Sequence, residues 1–293
     1  MSHIGAYVAL MKLRVVELLL VTTLPALFMA TYFHNHAHHF PPLGITIATL
    51  IGGTLAAGAA NAFNMVIEVD SDRLMKRTDK RPLVSGEVTK QQAVAFSLVV
   101  TILSLLIFLI FTTVLATLLT LLAILLYVVG YTILLKRRTS QNIVWGGIAG
   151  CMPVLIGWAA ITNSLSLTAW LFFLLIFFWT PPHFWALAIK YKDDYAAAGI
   201  PMLPVVATMR SVQNQMWFHT LFMIACSFAV LASAHLPWWT YVITALLSLG
   251  FASQLFKISG AQAEQSALKL FQWSITYLSI YSFILVLATI LAK

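Results

Sequence analysis

Apolar residues in this chain come in long, nearly uninterrupted runs, not in the one-sided stripe of a water-facing helix, and short polar segments separate the runs. A helix crosses a bilayer with about 20 apolar residues, and this length predicts nine spans, near 15–33, 45–66, 92–111, 114–134, 143–162, 167–190, 215–234, 238–256 and 270–291. The stretch from Ala95 to Leu135 is about twice one crossing; Thr112 and Thr113 interrupt it, so two spans are expected there. Val15 to Phe33 is too long for a signal-peptide core and reads as a retained first helix. The expected fold class is all-α, a polytopic membrane protein with a single domain over residues 1–293.

Composition agrees: 61% of residues are hydrophobic and 9% charged, against about a quarter charged in a soluble domain. The net charge of +8 does not form an aromatic-interleaved basic strip, so nucleic acid is not an expected partner. The charges instead follow topology. With nine spans and a cytoplasmic N-terminus, 16 of the 17 Lys and Arg residues fall on inside segments or the adjoining helix ends, as the positive-inside rule requires. Two long inside loops, about 67–91 and 191–214, follow the second and sixth helices. Their four-helix separation is what an internal duplication of four-helix units would give, and it places function on the cytoplasmic side. Cys151 and Cys226 lie inside apolar runs, so neither a disulfide framework nor a paired-cysteine metal site is expected.

The chemistry concentrates at the end of the second helix, in Asn64-Met-Val-Ile-Glu68-Val-Asp70-Ser-Asp72-Arg73. Asn64, Glu68 and Asp72 repeat every fourth residue, which stacks them on one helix face about 6 Å apart per step. Carboxylates at a membrane rim are expensive and read as functional. Hard oxygen ligands of this kind suit Mg²⁺, which is commonly held by one or two carboxylates plus substrate phosphates. The bases that follow, Arg73, Lys76, Arg77, Lys80 and Arg81, match the oxygens of a diphosphate, although the positive-inside rule alone also accounts for them.

The Asn64-xxx-Glu68-xxx-Asp72 pattern resembles the Asn-xxx-Asp-xxx-Asp motif of the UbiA superfamily of intramembrane prenyltransferases. The likeness spans nearly the whole chain: Lys12-Leu-Arg14, Arg77-Thr78, Arg81-Pro82-Leu83, Tyr131-Thr132, Lys136-Arg137-Arg138, Asn142 and Trp145-Gly146-Gly147. Trp179-Thr-Pro-Pro-His183-Phe-Trp185 and the run from Tyr191-Lys-Asp-Asp-Tyr195 to Gly199-Ile-Pro201-Met-Leu-Pro204 resemble the haem-modifying branch in particular. Two departures stand out. The first acid is Glu68, a longer arm than the usual Asp. The superfamily's second motif, Asp-xxx-Asp, has Tyr191 and Tyr195 at its outer positions here and keeps only Asp193 and Asp194.

The resemblance implies nine helices around a central chamber in the cell's inner (plasma) membrane, with the active site facing the cytoplasm. It implies an Mg²⁺-dependent transfer of farnesyl from farnesyl diphosphate to a vinyl group of haem b with addition of water, supplying haem O to a haem A synthase or terminal oxidase. Asn64, Glu68 and Asp72 would hold the metal, with Asp193 and Asp194 aiding a second ion and Asp194 a ligand. Arg77, Arg81, Lys136 and Lys192 would stabilise the departing diphosphate, and Arg73, Arg137, Tyr191 and Tyr195 would line the substrate site. His183, beside Pro181 and Pro182 at membrane depth, has two readings: contact with haem iron or a propionate, or satisfaction of carbonyls freed by the prolines. His34, His36, His38 and His39 form a tract of a kind that binds metal, but on the opposite side from the acids. Two rival functions are a prenyltransferase for a quinone precursor and a secondary transporter. A transporter would spread ionisable groups near mid-bilayer over several helices; here they gather at one rim.

Overall fold

A computed structural model describes residues 3–34, 40–75, 78–258 and 263–291, without the side chains of His3, Arg14 and Val15. The expectations for Lys76, Arg77, His36, His38 and His39 therefore fall outside the described residues. The described chain is helical: α1 His3–Met11, α2 Leu13–His34, α3 Leu43–Asp72, α4 Lys90–Phe111, α5 Val114–Leu125, α6 Asn142–Gly146, α7 Ile148–Thr162, α8 Leu167–Lys190, α9 Lys192–Ala197, α10 Leu203–Val206, α11 Met209–Ser233, α12 Trp238–Phe256 and α13 Ala263–Leu291. Between α5 and α6, residues Leu126–Leu135 continue α5 as a π-helix. Among the described residues, nine helical stretches are long and apolar enough to cross a membrane.

The break expected at Thr112 and Thr113 is real, because the Thr113 hydroxyl accepts the Ala116 amide and caps α5. The same hydroxyl donates to the Ala159 carbonyl, which ties that turn to α7. Three boundaries differ from expectation. The second span runs to Asp72, not 66, so the whole acid motif is helical and the loop after it starts at Arg73. The seventh begins at Met209, capped by Thr208, and the ninth at Ala263. Hydropathy misses these extensions because their residues are polar while the backbone stays helical beyond the hydrocarbon. The segment after α8, expected as a loop, folds into α9 and α10.

Helices α7 and α8 are the most buried of the spans and form the centre, while α4 and α5 are the least buried. Exposed Leu98, Ile102, Leu106, Leu109 and Ile110 on α4 have lipid tails as their natural neighbours. Helix α4 lies close on α3: a Cβ at Gly52 would collide with the Phe108 ring, and the Ser104 hydroxyl donates to the Gly52 carbonyl at 2.7 Å. Small residues of this kind set interhelical distance in membranes, and here they hold the helix that carries the acids.

Candidate active site

Four buried polar side chains, Asn61, Asn64, Glu68 and Asp72, follow each other along α3 at three- and four-residue steps, and so share one face. The joint between α1 and α2 crosses this face. Gly58 makes room for it, since a Cβ there would strike the Met11 side chain. Asn61 Nδ2 then donates to the Met11 carbonyl at 3.0 Å. The next residue, Lys12, takes a left-handed backbone with φ 49°, a conformation that costs a non-glycine residue roughly 1–2 kcal/mol. From there Lys12 Nζ donates to Asn64 Oδ1 at 2.9 Å.

The opposite wall is the π-helix. Its bonds reach back five residues, as in Lys136 N–H to the Tyr131 carbonyl at 2.9 Å, and π-turns often sit at functional sites. Here the widened turn aims Tyr127, Thr132 and Lys136 at α3. The Tyr127 hydroxyl donates to Asn61 Oδ1 at 3.4 Å, and Thr132 Oγ1 accepts from Asn64 Nδ2 at 3.2 Å. Lys136 Nζ pairs with Glu68 Oε1 at 2.5 Å. Asn142, at the start of α6, donates to the Lys136 carbonyl at 3.0 Å and holds the end of the π-helix.

A chain of tight turns after α3 supplies the third cation. The Thr78 hydroxyl donates to the Asp72 carbonyl at 2.7 Å, and the Thr78 and Arg81 amides close successive turns. The chain thus doubles back and the Arg81 guanidinium pairs with Asp72 Oδ2. Asp72 Oδ1 is buried and has no partner among the described residues. Burial, with Arg81 and Lys136 nearby, pulls the Lys12 ammonium down to about 7, against the pull of Glu68 and Asp72. Burial also lowers Lys136, and its Glu68 partner opposes that shift.

The structure therefore brings together Asn64, Glu68, Asp72, Arg81 and Lys136 from the expected set. Others lie apart. Arg73 is exposed and turned toward Asp70 at 3.9 Å. Arg137, Lys192 and Asp193 are exposed, while Asp194 and Tyr191 are half-buried and Tyr195 is buried on α9. Among the described residues no hydrogen bond or ion pair joins Asp193 or Asp194 to the α3 group, and no three His, Cys, Asp or Glu side chains cluster as metal ligands. The residues present nonetheless fit one hard cation, through two carboxylates and an amide oxygen, with phosphate oxygens completing the shell. Lys12, which the sequence offered only within the Lys12-Leu-Arg14 likeness, takes a place in the site, as do Asn61, Thr132 and Tyr127. Asn61 was legible as one more polar step on an apolar helix; Thr132 stood only in the Tyr131-Thr132 likeness, without a role, and Tyr127 did not stand out, because no sequence period marks a π-turn.

His183 is buried on α8, its ring stacked between Trp179 at 4.3 Å and Phe271 at 4.5 Å. Its Nδ1 meets Ser274 Oγ of α13 at 2.6 Å, so the partner is a hydroxyl on another helix and not a carbonyl freed by the prolines. Trp179 Nε1 donates to the Ser274 carbonyl at 2.9 Å. Ser274→Ala should lower stability by about 1–2 kcal/mol, since it strips the partner from a buried imidazole; thermal unfolding in detergent reads this.

A polytopic helical fold with a ladder of amide and carboxylate oxygens, each met by a base, suits a membrane enzyme that handles an anionic substrate together with a hard cation. The model described as the UbiA prenyltransferase family matches residues 19–275, and the chain belongs to that family. A protoheme IX farnesyltransferase of Streptomyces avermitilis is 46% identical over 288 residues, covering 95% of this chain and 92% of that protein. Among solved structures, a digeranylgeranylglyceryl phosphate synthase superposes with a TM-score of 0.80 at 15% identity, covering 99% of each chain. A UbiA homolog from Archaeoglobus fulgidus bound to GPP and Mg²⁺ does so at 0.66 and 16%, covering 96% of this chain and 99% of its own. At such identities the two structures establish the fold. Family membership also sets aside the transporter reading.

Proposed function

We propose that this protein transfers the farnesyl group of farnesyl diphosphate to a vinyl group of haem b, with addition of water, to give haem O. The observation that carries the reading is the three-rung ladder on α3, in which Lys12 meets Asn64, Lys136 meets Glu68 and Arg81 meets Asp72. Likeness to a relative named protoheme IX farnesyltransferase over nearly the full chain supports the acceptor.

Asn64, Glu68 and Asp72 would hold Mg²⁺, which supplies Lewis-acid stabilisation to the leaving diphosphate. Lys12, Lys136 and Arg81 stand where they can bind diphosphate oxygens and take up the charge that builds as the allylic carbon–oxygen bond breaks. The bonding pair leaves on the diphosphate. The vinyl group's terminal carbon attacks the farnesyl cation; water captures the resulting carbocation beside the porphyrin ring and loses a proton. Downstream use by a haem A synthase or terminal oxidase belongs to the same proposal.

The same reading places the N-terminus and the ladder on the cytoplasmic side, supported by the distribution of Lys and Arg. Both native cysteines are buried, so an Arg137→Cys variant carries the only accessible thiol among the described residues. A membrane-impermeant maleimide should label it in inside-out vesicles and not in right-side-out ones; the reverse pattern would invert the topology. For the acceptor, the test offers the purified protein haem b and an aromatic quinone precursor together with farnesyl diphosphate and Mg²⁺. Prenylated haem is expected. Prenylation of the quinone precursor alone would keep the family and overturn the haem assignment.

A further inference from the structure

Ser274 of α13 receives two bonds from α8: Trp179 Nε1 donates to its carbonyl at 2.9 Å, and its hydroxyl meets His183 Nδ1 at 2.6 Å. The same hydroxyl lies 2.6 Å from the Phe271 carbonyl, one turn back on α13, and donates its proton there. A hydroxyl has only one proton to give. If that proton turned to His183, Ser274 Oγ would face the Phe271 carbonyl lone pair to lone pair. Both short contacts are attractive only when His183 carries its proton on Nδ1 and donates it to Ser274. Nε2 is then the bare nitrogen, and no hydrogen bond engages it among the described residues. The ring is held in place, because Trp179 and Phe271 stack on it at 4.3 and 4.5 Å, within 20° and 26° of parallel. His219 of α11 is the contrast. It too is buried among aromatic rings, Phe178, Trp185 and Phe218, but neither of its ring nitrogens has a partner among the described residues. Nothing there sets a tautomer.

A neutral imidazole held in one tautomer by a bond at its other nitrogen is the usual form of a metal-ligating histidine. A hydroxyl whose proton is committed elsewhere offers no counter-charge to an imidazolium, and the flanking rings are apolar. The side chain is therefore suited to ligation and not to proton transfer. We propose that Ser274 is a positioning residue for the acceptor: it fixes His183 as the Nδ1–H tautomer, so that Nε2 presents its lone pair to the iron of haem b. This rests on the haem acceptor proposed for this protein and on the iron contact of His183 that the likeness implies. Depth agrees. The second and sixth spans end on the same side of the membrane. His183 lies about 10 Å along α8 from its Lys190 end, and Asn64 about 12 Å along α3 from its Asp72 end. The iron ligand and the innermost rung of the ladder thus stand at similar depth. A hydroxyl also enriches the imidazole less than a carboxylate would, which keeps the iron bond weak enough for an acceptor that must leave as product.

The experiment adds ferrous haem b to the full chain purified in detergent. It reads the iron–imidazole stretch by resonance Raman, the haem affinity by titration, and KM for haem b and for farnesyl diphosphate. Wild type should show the stretch. Ser274→Ala should shift it to lower frequency and weaken haem binding about 10- to 100-fold, the usual cost of removing the outer partner of a metal ligand. KM for haem b should rise alike while KM for farnesyl diphosphate holds. Ser274→Thr keeps the hydroxyl and should keep the wild-type spectrum. Ser274→Cys, near in shape but a poor acceptor, should shift the stretch the same way and serves if the alanine variant does not fold. Trp179→Phe removes the bond to the Ser274 carbonyl and leaves the hydroxyl, so it should lower the thermal midpoint without moving the stretch. An equal shift there would reduce Ser274 to a structural contact. Bound wild-type haem with no iron–imidazole stretch, or an unshifted stretch in Ser274→Ala or Ser274→Cys, overturns the proposal. Haem prenylation by the same preparation is followed in parallel by mass spectrometry. Prenylated haem without the stretch sinks this inference alone, and the stretch without prenylated haem sinks the haem assignment alone.

Discussion

Asp72→Asn should abolish prenyl transfer, by on the order of 10³-fold, in a protein that still inserts and purifies. The size of the effect follows from where the carboxylate sits. Asp72 is 1% exposed, with one oxygen on Arg81 and the other unpartnered and buried. The amide keeps the shape and one acceptor but removes the charge that a metal–diphosphate complex requires, and it presents an NH₂ where a ligand oxygen is needed. It also leaves the Arg81 guanidinium without its counter-charge, so a loss of stability accompanies the loss of rate. Rate and stability are separable by measuring product formation at several temperatures below the variant's own unfolding midpoint. A variant with near-normal turnover would remove Asp72 from the chemistry.

Breaking the Glu68–Lys136 pair should be the most damaging single change for stability. Both side chains are largely buried and 2.5 Å apart, and truncating one member of such a pair costs about 3–5 kcal/mol because the other charge is stranded. Lys136→Met should therefore lower the thermal midpoint sharply. The double variant Lys136→Met with Glu68→Gln should recover much of that loss, because no lone charge remains, yet it should stay inactive for want of both a ligand carboxylate and a diphosphate contact. Thermal unfolding of the four members of the cycle isolates the pair energy. Additive losses of stability would mean that the two residues do not act as a pair.

The spacing that makes the site also makes it sensitive at a distance. Gly58→Val should push Met11 off α3 and displace Lys12, lowering turnover by up to about 10²-fold although no charged residue is substituted. An unchanged rate would detach the α1–α2 joint from the chemistry.

Much of this was legible in the sequence, and the physical reasons are specific. Nine spans could be read because lipid demands long apolar runs, and the ladder could be read because three polar residues at four-residue steps have no structural excuse on an apolar helix. What could not be read was set by tertiary contact. The Lys12 hinge depends on a glycine 46 positions later being small enough for Met11 to sit on it. Thr132 reaches Asn64 only because the helix there is wound with five-residue bonds. His183 found its partner in Ser274, which is 91 residues away. Asp193 and Asp194 carry the right chemistry for a metal, but their placement on the short helix α9 could not be foreseen from composition.

The account rests most directly on one reaction. Purified wild-type protein in detergent, given haem b, farnesyl diphosphate and Mg²⁺, should yield a haem heavier by one farnesyl group plus one water in mass spectrometry. The product should vanish with EDTA and with Asp72→Asn. Haem of unchanged mass, in a preparation whose bound farnesyl diphosphate is demonstrated, would contradict it.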